Sequence, residues 1–257
     1  MRFLPDLIER RRSGRINGLQ MMREMLAYQN WQIPVSEKAA REIMATNELP
    51  AVMFSQAPDG KKWLLVYGDA EAAGVHQKAV NDPQHYVTAP GTVVFQLPLD
   101  GFSQIIFDHA SPHEVAIDGP MLQEMRKMAP AAEIEETLLR VRTGDNPPRN
   151  AMTRVRDYAG YILAVRKASG GLQVAMAPDE KGRSLAAVFT SNDNFNAYLD
   201  ESGASPLVSE IWAVPMAGKA LFEQLSKIQV DGLVFNCSGP SKAVAFVPEF
   251  SSVVLNG

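Results

Sequence analysis

The chain is poor in the side chains that most often carry chemistry. Its 257 residues hold one cysteine, Cys237, and four histidines. A single thiol excludes a disulfide within the chain and fits a reducing compartment. No window approaches the ~20 consecutive apolar residues that a membrane-crossing helix needs, and no apolar run of secretory-leader length follows Met1-Arg2. A cytoplasmic protein with no membrane insertion is therefore expected. A basic surplus is missing too: 25 Lys and Arg stand against 29 Asp and Glu, for a net charge of −4. No global field draws in nucleic acid. The one basic cluster, Arg10-Arg11-Arg12 with Arg15, has Asp6 and Glu9 beside it and reads as a solvated helix face. Neither the Gly-x4-Gly-Lys spacing of a phosphate loop nor a Gly-x-Ser-x-Gly nucleophile elbow occurs.

What is present is an ordinary globular composition, 46% hydrophobic and 21% charged, in a chain long enough for one large core or two small ones. Residues 1–46 read as mainly helical. Leu4, Leu7 and Ile8, then Ile16, Leu19, Met22, Met25 and Leu26, recur at three- and four-residue steps, and Ser13-Gly14 divides them into two helices. Trp31–Val35 reads as extended, with Ser36 capping a following helix. From Leu49 the period changes. Ala51–Phe54 and Trp63–Tyr67 flank Pro58-Asp59-Gly60, a hairpin turn in which proline presets φ and glycine accepts a positive φ. Asp69 caps a helix through Lys78–Val80, Thr92–Phe95 reads as a strand, and Ile105–Ile117 as a strand pair around a turn. Met121–Val141 is a long helix that Pro130 is expected to interrupt. Thr143–Asn150, with Gly144 and two adjacent prolines, marks the internal boundary.

Beyond that boundary the order returns. Tyr161–Val165 and Gly171–Met176 read as strands, and Leu185–Phe189 answers Trp63–Tyr67 position for position. Thr190–Asp193 offers caps for a helix through Tyr198-Leu199, and Ile211–Pro215 answers Val93–Pro98. An amphipathic helix with Leu221, Phe222, Leu225 and Ile228 precedes Asp231–Phe250, in which two apolar runs flank Asn236–Ser241. That strand–turn–strand unit repeats Ile105–Ile117 about 125 residues on, and a fixed period is what duplication predicts. The expected fold class is α+β: two tandem, similar lobes, each a small mixed sheet flanked by helices, preceded by N-terminal helices. The segments are 1–46, 47–142 and 151–257.

With that order in place, the chain resembles the bacterial SseB family, known from its enhanced-serine-sensitivity member. Met25–Val35 is similar to that family's leucine-rich helix before an extended "vPv" segment. Pro58–Asp69 and Gly182–Ser191 resemble its "PDG…lpvFTs" stretch, and Val230–Asn236 with Gly239-Pro240 its "vdglvlNpgs" strand and turn. The likeness covers most of residues 20–255, and the second occurrence carries the closer residues. In the first, Tyr67-Gly68 stands for Phe-Thr and Asp108-His109 for Asn-Pro. The resemblance implies an α+β bacterial protein, in some members linked to secretion systems, and supplies no catalytic residues.

The candidate chemistry is thin. His109 and His113 have the i, i+4 separation of a helical zinc pair, but Pro112 makes this a turn, and Cys237 and Ser241 occupy the matching second positions. No metal site and no cofactor are expected. Cys237 follows a strand, as several catalytic nucleophiles do, yet its counterpart is His109, and free cysteine is commonly a small buried hydrophobe. Ser111 and Ser238 lack an elbow to pair with His76, His85, His109 or His113. The reading is a non-enzymatic protein-binding protein, an adaptor, chaperone-like or immunity-type molecule that engages another protein, with self-association left open. Its candidate surface is Met22, Met25, Asp108, His109, Asn236, Cys237, Pro240, Phe246 and Phe250. The alternative is a small-metabolite sensor with a polar ligand held between the lobes near Asp108-His109 and Asn236-Cys237.

Overall fold

A computed structural model describes residues 2–39, 41, 54–56, 60–80, 85–97, 101–145, 148–168, 170–178, 181–201, 211–228, 230–238 and 244–246. The fold is α+β, with helices at the N-terminus, and it divides into two compact units, Met1–Ala132 and Glu133–Gly257. Among the described residues no helix is long and apolar enough to cross a membrane.

The first unit opens with helices Phe3–Arg12 and Gly18–Ala27, parted at Gly14, whose φ of 73° suits glycine. Asn17 starts the second helix through a reciprocal capping box with Gln20. The strands are β1 (Trp31–Val35), β2 (Phe54–Gln56), β3 (Lys62–Val66), β4 (His85–Ala89), β5 (Phe102–Phe107) and β6 (Val115–Asp118). β3 and β5 run parallel, with β2 and β6 antiparallel outside them, while β1 pairs antiparallel with β4 and meets the end of β3 through a bridge between Gln32 and Tyr67. Leu4, Leu7, Met25, Leu26, Trp31, Leu64, Val66, Ile105 and Phe107 share one buried cluster. The N-terminal helices thus pack into the same core as the strands.

The second unit holds β7 (Tyr161–Ala168), β8 (Gly171–Val174), β9 (Met176–Pro178), β10 (Ser184–Phe189), β11 (Ile211–Met216), β12 (Gly232–Phe235) and β13 (Val244–Phe246). The order is β11-β7-β10-β12-β13, with β10 and β12 parallel and the remaining pairs antiparallel. β8 pairs with β7 and β9 with β10. Helices Pro148–Asp157 and Gly218–Leu225 contribute Val155, Leu221 and Phe222 to one face's core, and helix Asn192–Glu201 contributes Phe195 and Leu199 to the other.

Several expectations hold. Ser36 Oγ accepts from the Ala39 N–H at 3.1 Å, and Asp69 Oδ1 from the Ala72 N–H at 2.8 Å, so both caps form where the sequence placed them. Others are corrected. Thr92–Phe95 is no strand: Gly91–Val94 is helical. The Gly91 N–H donates to the Tyr28 carbonyl at 2.7 Å, and a Cβ on Gly91 would sit 2.1 Å from the Met25 carbonyl oxygen. Packing against the end of helix Gly18–Ala27 overrides the β propensity of Thr-Val-Val. The strand of that region is His85–Ala89, which the sequence reading did not place. Pro130 does not interrupt its helix, which runs from Gly119 to Thr143. Met125 and Ala129 are buried before the proline and Ile134 and Leu138 after it, so anchoring on both flanks outweighs the hydrogen bond that the exposed ring removes. The two units divide inside this helix, between Ala132 and Glu133, upstream of Thr143–Asn150. Finally, the run Gly171–Met176 is split at Ala175, where the chain passes from pairing with β7 to pairing with β10.

Candidate functional site

The C-terminal ends of the parallel strand pairs carry the polar residues of interest. In the first unit, Phe107 enters a turn at Asp108, whose backbone is left-handed with φ 48°. Its N–H donates to the Val66 carbonyl at 2.9 Å, and its Oδ1 accepts from the Gly68 N–H at 2.7 Å. Asp108 is 1% exposed, and its Oδ2 has no hydrogen-bond partner among the described residues. Burial raises its pKa, against the opposing pull of the Gly68 N–H; Asp69 adds to the rise, while Arg2 and His113 oppose it. Arg2 Nε donates to Asp69 Oδ2 at 2.8 Å beside this turn, and that bond helps hold the Asp69 carboxyl low although its own burial acts in the opposite sense.

His109 and His113 belong to the same turn, not to a helix. His109 Nδ1 lies 2.9 Å from Glu114 Oε2, which also accepts from the Ala110 N–H. The His113 N–H donates to Ser111 Oγ at 3.0 Å, and its ring Nδ1 is buried without a partner among the described residues. The His109 ring stands 6.2 Å from His76 and 6.0 Å from Trp63. His76 is buried beside Tyr67, and that burial, helped by His109, lowers its pKa.

In the second unit Asn236 occupies the corresponding place. Its φ is 50°, its N–H donates to the Val188 carbonyl at 2.9 Å, and its Oδ1 accepts from the Thr190 N–H at 2.9 Å. Here the second side-chain atom is satisfied: Asn236 Nδ2 donates to Thr190 Oγ1 at 2.9 Å and to Glu135 Oε1 at 3.3 Å. The Thr190 hydroxyl donates to Glu135, and Asn194 Nδ2 donates to Glu135 Oε1 at 3.0 Å. Cys237 follows, half-buried against the cluster of Phe189 and Phe195. Burial pushes its thiol up to about 11, the direction opposite to a nucleophile's need.

A second pair of contacts ties each turn to the preceding helix. Tyr28 Oη donates to the Gly68 carbonyl at 2.6 Å, and Trp31 Nε1 to the Met25 carbonyl at 3.0 Å. In the second unit Tyr158 Oη donates to the Thr190 carbonyl at 2.8 Å, and Tyr161 Oη to the Val155 carbonyl at 3.0 Å. The aromatic spacing Tyr-x-x-Trp and Tyr-x-x-Tyr was the available signal for these pairs. Gly68, Thr190 and Glu135 carry no such local sign, because they reach their partners across 40, 46 and 101 positions.

The remaining candidates scatter. Met25 is 0% exposed in the first unit's core, so the face offered as a partner surface has its best-placed methionine inside; Met22 is half-buried against the same cluster. Asp108 and Asn236 are likewise interior. Phe246 lies in β13 opposite Leu233, while Pro240 and Phe250 fall outside the described residues. Missed by the sequence reading is the exposure of large apolar side chains in the second unit, among them Trp212 at 44% and Leu172 at 66%, with Leu139 and Ile228 also exposed.

No curated protein matches the chain. Among solved structures, Anabaena Tic22 (protein transport) is similar over 83% of this chain and 88% of its own, at 13% identity and a TM-score of 0.22, too low to bear on fold or function. Residues 12–124 match the family model described as SseB protein N-terminal domain. That match lies within the first unit, whereas the sequence reading had placed the closer likeness in the second; the first half of the chain is the part similar to SseB proteins.

Proposed function

We propose that the chain is a non-enzymatic bacterial protein-binding protein, built as two SseB-like lobes in tandem and working in the cytoplasm as an adaptor, chaperone-like or immunity-type partner of a secretion-associated protein. The tandem reading draws support from the paired geometry of Asp108 with Gly68 and Asn236 with Thr190, and from the shared strand order. The secretion link draws support only from the likeness of residues 12–124 to SseB proteins. The observation that carries protein binding is the exposure of Trp212 and Leu172 at the open end of the second unit's sheet; large apolar side chains left in water there are the usual means of capturing a partner. The turn of the second unit supports the same reading, since the Asn236 side chain is spent on hydrogen bonds to Thr190 and Glu135 and burial moves the one thiol away from nucleophilic chemistry.

The test is a cross-linked pull-down from native lysate with the wild-type chain and with Trp212→Ala and Leu172→Glu. Proteins retained by the wild type and lost from both variants support the proposal; an identical capture profile overturns it.

Three buried polar atoms without partners among the described residues, Asp108 Oδ2, His113 Nδ1 and Tyr67 Oη, favour a small-metabolite sensor as the second reading. A thermal-shift screen against amino acids and nucleotides that raises Tm for the wild type but not for Asp108→Asn supports it. A screen with no stabilisation removes it.

A further inference from the structure

Antiparallel register decides which side chains share a face. Trp212 lies opposite Val165, Val165 opposite Val174, and Lys167 opposite Leu172. Directly opposed residues, and those two apart along one strand, stand on the same side of a sheet. Trp212, Val165, Val174, Lys167 and Leu172 therefore form one continuous surface. Val165 is buried and Val174 half-buried, and both belong to the core cluster of Tyr161 and Leu163. Toward Trp212, Leu172 and Lys167 the same face emerges into water.

Among the described residues of β7, β8 and β11, Lys167 is the one charged residue on this surface; Arg166 stands on the opposite side of β7, and the three strands contain no aspartate or glutamate. Two other lysines of this unit lie in ion pairs, Lys219 with Asp157 and Lys227 with Glu223. Among the described residues no ion pair involves Lys167. The Lys167 ammonium, without an ion pair among the described residues and bordering exposed Trp and Leu, is complementary to a segment that presents carboxylates beside apolar anchors.

The backbone of β11 disfavours a partner strand. β11 is the outermost strand of the described sheet, and it carries Pro215, which has no N–H to donate and blunts an edge. A partner must therefore use the face. Three adjacent strands span roughly 10 Å, the diameter of one α-helix.

Resting on the protein-binding reading above, we infer that the Trp212–Leu172–Lys167 face receives an acidic amphipathic helix of a partner protein, its apolar stripe on Trp212 and Leu172 and its carboxylates toward Lys167. The probe is a labelled Leu/Glu amphipathic peptide of about 18 residues, long enough to hold helix on contact, compared with the Leu/Lys peptide of identical pattern. Fluorescence anisotropy with the full chain at low salt should show the Leu/Glu peptide binding and the Leu/Lys peptide binding at least about tenfold more weakly. Trp212→Ala, or Leu172→Glu should the first variant fold poorly, is expected to cost the Leu/Glu peptide about tenfold in Kd. Lys167→Glu should narrow or reverse the preference, and added salt should weaken the acidic peptide alone. Equal binding of the two peptides, no binding of either, or a Kd indifferent to both Trp212→Ala and Lys167→Glu overturns the assignment. Because the lysate capture depends on Trp212 whatever the partner's charge, capture that persists while the peptide preference is missing separates failure of the acidic-helix assignment from failure of the protein-binding proposal.

Discussion

Asp108 and Asn236 stand at the same point of two similar turns, and the difference between them is one atom. Each has a left-handed backbone near φ 50°, each sends its N–H to the strand beside it, and each uses Oδ1 to hold the backbone N–H at the end of that strand. What remains is Oδ2 in one and Nδ2 in the other. The amide nitrogen is a donor and finds Thr190 Oγ1 and Glu135. The carboxylate oxygen is an acceptor buried without a donor among the described residues. Shared geometry with an unequal remainder means that the backbone task is structural in both turns, while only the first turn carries a titratable group held in an unfavourable setting.

The largest expected effect tests the shared part. Phe107 and Phe235 immediately precede the two turns and are fully buried; Phe107→Ala and Phe235→Ala should each cost about 3–5 kcal/mol in urea unfolding. Comparable losses keep the two turns equivalent in their packing, and a loss under ~1 kcal/mol for one breaks the comparison at its root. Next comes the satisfied network. Asn236→Leu removes the acceptor of the Thr190 N–H and one of the donors to Glu135, and should cost about 2–3 kcal/mol, accompanied by faster hydrogen exchange at Thr190.

The third effect has a pH signature. A carboxyl whose folded-state pKa lies above its unfolded value is favourable to folding while protonated, so that contribution is complete below the ordinary carboxylate range and is lost as pH rises from there through the raised folded-state pKa. Burial places Asp108 in this class. Asp108→Asn should therefore gain on the wild type as pH is raised from acid toward neutrality, by about 1 kcal/mol, read as a Tm difference that widens with pH. A difference independent of pH would show that the unpartnered oxygen is not a burden. The smallest effect concerns Arg2, half-exposed beside Asp69. Arg2→Ala should cost about 0.5 kcal/mol or less and do so only at low salt, whereas Asp69→Ala, which also removes the cap on Ala72, should cost about 1 kcal/mol at any salt.

Much of the local structure was legible. Ser36 and Asp69 could be named as caps because a cap needs only an acceptor side chain three residues before an N–H. β10 and β12 could be named because their apolar runs are short and bounded by turn formers. The equivalence of Asp108 and Asn236 was visible as a shared position in a repeated pattern. The exposed apolar face was not, since Trp212 and Leu172 sit in runs as hydrophobic as any core strand, and nothing local distinguishes a covered face from an open one. Met25 misled for the converse reason: helical spacing places it on an apolar stripe without saying what covers that stripe.

By itself, then, the sequence determined most of the kinds of element and the α+β class, both consequences of side-chain period and turn chemistry acting within a few residues. Only the tertiary structure decided that Thr92–Val94 would be helical rather than extended, that the helix would continue through Pro130, that Glu135 would complete the turn at Asn236, and that Trp212 would face water. Each of those outcomes turns on a partner dozens of positions away or on a face left uncovered. Burial and hydrogen-bond satisfaction are properties of the packed chain, and they outweigh the few tenths of a kcal/mol by which one local preference exceeds another.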